Sequence, residues 1–265
     1  MVHRRTVLTG IVAVSLLPVA EICGCCGQVF AQSGGTPVMS DLLKTAAGDL
    51  TIQPVNHASV VLSFGPEVIY VDPVGGGARY ASFAKPTAIL VTHAHGDHFD
   101  EPTLTAIADS AKVIIAPQAV IDKLTPELKA KAKLMVNGQS GDVNGIPVTA
   151  VAAYNTTAER LKFHPKGIGN GYVLSFGDKK IYLAGDTEDV PEMLALSGID
   201  VAFLPMNLPY TMTGEQAAHG AKAFKPKVVY PYHYGKDGPE PAKFAAAMMG
   251  TDGIEVRQRD WYQYG

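Results

Sequence analysis

Residues 93 to 98 hold three of the chain's eight histidines and an aspartate: His93, His95, Asp97 and His98. Imidazoles and carboxylates are the ligands that suit zinc and related divalent ions. In extended backbone, residues two apart point the same way, so His93 and His95 can converge on one point. Asp97 and His98 can turn toward a second point nearby, with Gly96 allowing a tight turn between the pairs. The competing reading is a surface loop that happens to be rich in histidine.

An element must hold such a cluster still. The apolar run Ala88 to Val91 reads as a buried strand, and the cluster follows as the loop at its exit, where scaffolds carry functional groups. Other candidates also stand where a strand should end. Asp186 follows Lys180 to Leu183 and a glycine; otherwise it caps a helix or makes a turn. His233 follows the buried run Val228 to Tyr232; otherwise it is a structural histidine. Asp72 closes Val68 to Val71 and can orient a ligating imidazole by accepting its other N–H, or simply caps the strand. His57 lies between Thr51 to Val55 and Ser59 to Phe64, and reads as a substrate or proton-transfer group or as a hydrogen-bonded rim residue. Asn144-Gly145 and Gly177-Asp178 mark hairpins. Thr213 with Gln216 three residues on marks a capped helix start. Hairpins followed by alternating strands and helices occur twice, which supports two sheets packed face to face with helices outside, an αββα four-layer sandwich in one domain.

The H-x-H-x-D-H pattern resembles the signature of the metallo-β-lactamase superfamily. Asn56-His57-Ala58-Ser59, Val71-Asp72-Pro73, Ala184-Gly185-Asp186-Thr187, Tyr210-Thr211-Met212 and Tyr232-His233-Tyr234-Gly235 occur in the order of the branch of metal-dependent hydrolases related to ascorbate-6-phosphate lactonase. The resemblance covers about residues 48 to 262. It implies an α/β metallo-β-lactamase-type sandwich and two divalent metal ions, zinc first, with manganese or iron as alternatives. It also implies metal ligands at His93, His95, Asp97, His98, Asp186 and His233, with Asp186 bridging. A metal-activated bridging water would then cleave an ester, lactone or phosphodiester bond of a small molecule. Asp97, His57 and Asp186 would carry the catalysis.

The chain departs from the superfamily at one ligand. A histidine usually ends the strand that reads here as Ala150 to Tyr154, but Tyr154-Asn155 stands in its place. His164 is the expected replacement, with Asn155 a weaker oxygen ligand or a substrate contact. Alternatively His164 is a lid residue touching substrate. Tyr210 can reach substrate or pack at the cleft edge. Two other functions compete: an iron-dependent redox enzyme of the same fold, and a non-catalytic periplasmic binding protein. A serine or cysteine nucleophile has no support, since no G-x-S-x-G elbow is present.

Composition is that of an ordinary globular protein. A net charge of −3 with no basic stripe excludes nucleic acid as an expected partner. Nothing in the sequence speaks to oligomeric state. Arg4-Arg5 followed by the apolar run Ile11 to Ala20 resembles a twin-arginine export signal, with Val29-Phe30-Ala31 as a cleavage site. The expected organisation is a signal peptide at 1–31, a flexible mature N-terminus at 32–47 and a hydrolase domain at 48–265, in the periplasm or secreted. The run is too short for a comfortable membrane span, although an uncleaved anchor, or a lipidation box at Ile22-Cys23-Gly24-Cys25, are the alternatives. Cleavage would remove Cys23, Cys25 and Cys26, all the cysteine there is.

Overall fold

The computed structural model describes Met1 and residues 40–262. The expected signal peptide lies outside the described residues apart from Met1. No helix among the described residues is long and apolar enough to cross a membrane.

Two seven-stranded sheets carry the chain, each filled in sequence order. The first comprises β1 (Asp41–Thr45), β2 (Gly48–Asn56), β3 (Ser59–Phe64), β4 (Glu67–Val71), β5 (Ala88–Leu90), β6 (Val113–Ala116) and β7 (Ala132–Leu134). The second comprises β8 (Ser140–Val143), β9 (Ile146–Ala153), β10 (Gly169–Phe176), β11 (Lys179–Leu183), β12 (Val201–Pro205), β13 (Val228–Tyr232) and β14 (Glu255–Val256). Both follow one scheme. Strands β1 to β4 pair antiparallel and β4 to β7 parallel. Strands β8 to β11 pair antiparallel and β11 to β14 parallel.

The layers follow from alternation along the strands. In β5, Ala88 and Leu90 face the core between the sheets, with Val60, Leu62, Leu174, Phe203 and Trp261. Ile89 and Val91 face the other way, onto a second core with Leu104 of α1 (Glu101–Ile107) and the short helices α2 (Gln118–Ile121) and α3 (Pro126–Lys129). The second sheet likewise turns Tyr182, Ala202 and Val229 outward. They pack beneath α4 (Pro191–Leu194), α5 (Gly214–Phe224) and α6 (Glu240–Met248). The result is the expected αββα sandwich, and all of its strands belong to one compact unit.

The Asn144-Gly145 hairpin has both residues at positive φ, 51° and 89°, as a tight two-residue turn between right-twisted strands requires. At α5, Thr213 accepts from the Gln216 N–H while the Gln216 side chain accepts from the Thr213 N–H, the reciprocal cap read from the sequence.

The expectation of a flexible segment through residue 47 is corrected over its described part. Asp41–Thr45 is a strand, in register with β2 from Asp41↔Ile52 to Thr45↔Gly48. Asp41 anchors it through Arg259, at 2.5 Å and 3.0 Å, and Tyr230, at 2.7 Å. The partners lie some two hundred residues away, which is why local composition did not reveal it.

Candidate metal centre

Parallel pairing aims the carboxyl ends of β4 and β5, and of β11 to β13, at one edge of each sheet. Asp72 follows β4, the His93–His98 turn follows β5, Asp186 follows β11 and His233 follows β13. At the same edge, the β2–β3 turn supplies His57, and the loop between β9 and β10 supplies His164. Three of these residues sit in left-handed backbone without being glycine: His57 (φ 52°), Asp72 (φ 46°) and His233 (φ 49°). Each such conformation costs roughly 1–2 kcal/mol, so surrounding contacts must hold it. The His57 N–H donates to the Trp261 carbonyl and the His233 N–H to the His57 carbonyl. Gly185 also has positive φ, 63°, and a Cβ there would come within 2.8 Å of the Asn170 carbonyl oxygen. Only glycine lets β11 turn this closely and deliver Asp186.

Side chains able to hold an ion form three overlapping groups among the described residues: His93, His95, His164 and Asp186; His98, Asp186 and His233; and His57, Asp97 and His233. Asp186 spans the first two. Its Oδ2 lies 3.1 Å from His164 Nε2 and 3.8 Å from His93 Nε2. Its Oδ1 lies 3.2 Å from His98 Nε2 and 3.3 Å from His233 Nε2. Asp97 Oδ2 reaches His233 Nε2 and His57 Nε2, each at 3.2 Å.

Hydrogen bonds behind the imidazoles assign their free nitrogens. His98 Nδ1–H donates to Asp72 Oδ2 at 2.7 Å. The Thr92 hydroxyl donates to that same oxygen and accepts from His93 Nδ1–H at 3.0 Å. His164 Nδ1–H donates to the Tyr210 carbonyl at 3.1 Å. Each therefore turns its Nε2 inward, the arrangement in which imidazoles ligate metals. His93 Nε2 then faces His95 Nδ1 at 3.0 Å, and His164 Nε2 faces it at 3.1 Å. One proton on His95 cannot serve both neighbours, whereas a cation satisfies all three lone pairs. His98 Nε2 and Asp186 Oδ1 are buried, and although they stand 3.2 Å apart neither makes a well-aligned hydrogen bond, a costly arrangement for buried polar atoms. The donor set therefore fits divalent metal.

The electrostatics agree. Burial, with His98 nearby, holds His93 well below its ordinary pKa, and burial with His164 lowers His95, so both are neutral. Burial pushes Asp186 up, but His233 and His98 overcome it and keep the carboxylate ionised. Asp97 is likewise held below its ordinary value, against its burial, by hydrogen bonds from His233 and His57. His98 is held above its ordinary value by Asp186 and Asp72 in spite of burial; a cation at Nε2 would take that proton's place.

His57 lies beside these groups, its side chain 13% exposed. The Gly235 N–H donates to the Tyr262 hydroxyl at 2.7 Å, so the Tyr262 proton is free to bond His57 Nδ1, also at 2.7 Å. His57 then carries its proton on Nε2, toward Asp97.

Asn155 stands beside His164, its side-chain nitrogen 3.4 Å from His164 Nδ1. It is 1% exposed, and its amide donates to the carbonyls of Tyr210 (2.7 Å) and Arg160 (3.0 Å). Its backbone N–H donates to the His164 carbonyl at 2.8 Å. These bonds clip the loop that brings His164 inward, while the Asn155 side-chain oxygen is buried without a hydrogen-bond partner. Tyr210, 44% exposed, does line the cleft.

Sequence reading missed an ion pair beneath the site. Arg160 lies 2.7 Å from Glu188, whose side chain is fully buried, and also donates to the Thr211 carbonyl and Gln216. Glu188 accepts from the backbone N–H of Thr156 and Thr157. The pair ties the His164 loop to the Asp186 turn. The available signal was a second acid, Glu188, two residues past Asp186 in the run Asp186-Thr187-Glu188-Asp189.

Residues 51–233 match the Beta-lactamase superfamily domain. A metal-dependent hydrolase of Pyrococcus horikoshii is 32% identical over 189 residues, which is 68% of this chain and 82% of the relative. A crystal structure of a Parabacteroides distasonis protein, described as a metal-dependent hydrolase, superposes with a TM-score of 0.77 at 42% identity, over 85% of this chain and 100% of its own. Igni18, a metallo hydrolase of Ignicoccus hospitalis, shares the fold with a TM-score of 0.66 at 21% identity, over 81% and 96% of the two chains.

Proposed function

The chain belongs to the β-lactamase superfamily, among its metal-dependent hydrolases, and from that premise we propose that it cleaves an ester, lactone or phosphodiester bond of a small molecule with water activated between two zinc ions. The observation that carries this reading is Asp186, whose two carboxylate oxygens face two separate sets of imidazoles. His93, His95 and His164 would hold one ion, and Asp97, His98 and His233 the other. Bound there, the ions supply the Lewis acidity that brings water to ionise near neutral pH and draws charge from the scissile group.

The chain's own groups do the rest. Asp97, ionised and with its side chain 47% exposed, orients the attacking water and accepts its proton. His57 presents Nε2–H at the same edge and is placed to protonate the departing oxygen. Burial keeps the imidazole below its ordinary pKa, so the ring rests neutral, and as it gives its proton to the leaving oxygen it takes from Asp97 the proton drawn from water.

Metal analysis of purified protein, followed by assays of an ester, a lactone, a phosphodiester and a β-lactam after zinc reconstitution, tests the proposal. Two zinc ions per chain and turnover that Asp186→Ala abolishes are expected. Turnover retained in that variant, or iron with oxygen consumption in the native protein, overturns it.

A further inference from the structure

Two cavities meet at the metal centre, on either side of a ridge made by Phe163 and His164. The first is about 250 Å³ and shares His93, His95 and Asp186 with the centre. Its remaining wall is apolar, from Ala94, Ala153, Pro165 and Ile168, apart from two lysines, Lys123 and Lys162. The second is about 390 Å³ and carries more polar side chains than the first, among them Asp97, Asn207 and Tyr210. Whole drug-sized ligands occupy about 300–1,000 Å³, so the first cavity suits one arm of a substrate whose other arm lies in the second.

We propose that the substrate's arm in the first cavity is apolar and ends in an anionic group, which Lys123 and Lys162 bind; the inference rests on the hydrolytic reading and specifies its substrate class. Charge separates the cavities. No carboxylate pairs with Lys123 or Lys162 among the described residues. Lys123 donates to the Ala94 carbonyl at 3.1 Å, and the Lys162 ammonium lies 5.0 Å from the Phe163 ring centre. Lys166 on the same loop is already engaged, by Glu192 at 2.8 Å and the Tyr154 hydroxyl at 3.2 Å. The second cavity presents the half-exposed Asp97 carboxylate and no lysine. The loop also leaves Leu161 and Ile168 48% and 46% exposed. Water-facing apolar side chains beside a cationic mouth suit a ligand that is apolar along its length and charged at its end.

The test is a matched pair of esters, mono-p-nitrophenyl adipate and p-nitrophenyl hexanoate, which differ in one terminal carboxylate. With the zinc-reconstituted enzyme, kcat/KM favours the adipate ester by about fivefold or more, the scale of rim charge pairs. In the Lys123→Ala/Lys162→Ala double variant that ratio falls to near one. Equal rates in the native enzyme, or a preference that survives in the variant, overturn the proposal. The apolar arm is read from chain length: hexanoate outperforms acetate in the native enzyme, and Ile168→Asn reduces the advantage. No advantage in the native enzyme removes that part of the proposal. If neither ester turns over, hydrolysis of this bond is what has failed. Recognition is then read by calorimetry, with adipate binding more tightly than hexanoate in the native protein and equally in the double variant. Equal binding in the native protein overturns it.

Discussion

Arg160 and Glu188 lie 2.7 Å apart beneath the centre, and neither residue is a candidate ligand. Removing one partner of a buried ion pair leaves a charge without compensation, at a cost of about 3–5 kcal/mol. Arg160→Met is therefore expected to lower the urea midpoint strongly. It is also expected to release ion from the His93, His95 and His164 group first, since Arg160 fixes the loop that carries His164. Metal content measured under conditions where the variant is still folded checks this. A full complement of metal would reduce the pair to a structural brace.

Asp72 and Thr92 act through the imidazoles they orient. Asp72→Asn removes the charged acceptor of His98 Nδ1–H, and Thr92→Val removes the acceptor of His93 Nδ1–H. Loss of such partners typically costs 10–100-fold in metal affinity. Competition against a chromophoric chelator should show a loss of about that size in each variant, with Asp72→Asn weakening the His98 side of the centre.

Asp41 makes stability depend on acid. Burial pushes its carboxyl up, but hydrogen bonds from Arg259 and Tyr230 and the charges of Arg259 and Arg257 bring it below the ordinary value of 3.8. A carboxyl lowered on folding stabilises the protein above its unfolded pKa, and the contribution is lost as pH falls through the folded value. Asp41→Asn should thus unfold at lower urea than the native protein at neutral pH, by about 1 kcal/mol. The difference should close below about pH 4. A gap that persists unchanged well below that pH would assign the loss to packing of β1 instead.

We also propose that the twin-arginine pattern at Arg4-Arg5 directs export. Replacing both with lysine is expected to strand the full-length precursor in the cytoplasm. Cell fractionation reads the outcome, and the amino terminus of the exported protein should begin at Gln32.

Much of the centre's location was legible in the sequence, because its side chains sit where apolar runs end. A strand's exit can be read from one short window, as at Leu90 before His93 or Tyr232 before His233. The same holds for the turn at Asn144-Gly145 and the cap at Thr213. The bonds of the Asn155 amide nitrogen to the carbonyls of Arg160 and Tyr210 were not legible, because their partners are brought in by the loop's fold. Strand β1 was missed because its anchors lie at Tyr230 and Arg259. The left-handed backbone at His57, Asp72 and His233 was also invisible, since tertiary contacts sustain it and none of the three is glycine.

The two sheets repeat one pairing scheme, and every ligand group draws on both. His57, His93, His95, Asp97 and His98 come from the amino-terminal sheet; His164, Asp186 and His233 come from the carboxy-terminal one. Ions held this way rivet the two halves together, and a ligand taken up only by the finished molecule stabilises it by mass action. Loading with metal thereby becomes a proofreading step: a chain with either half unformed has no complete socket and stays empty.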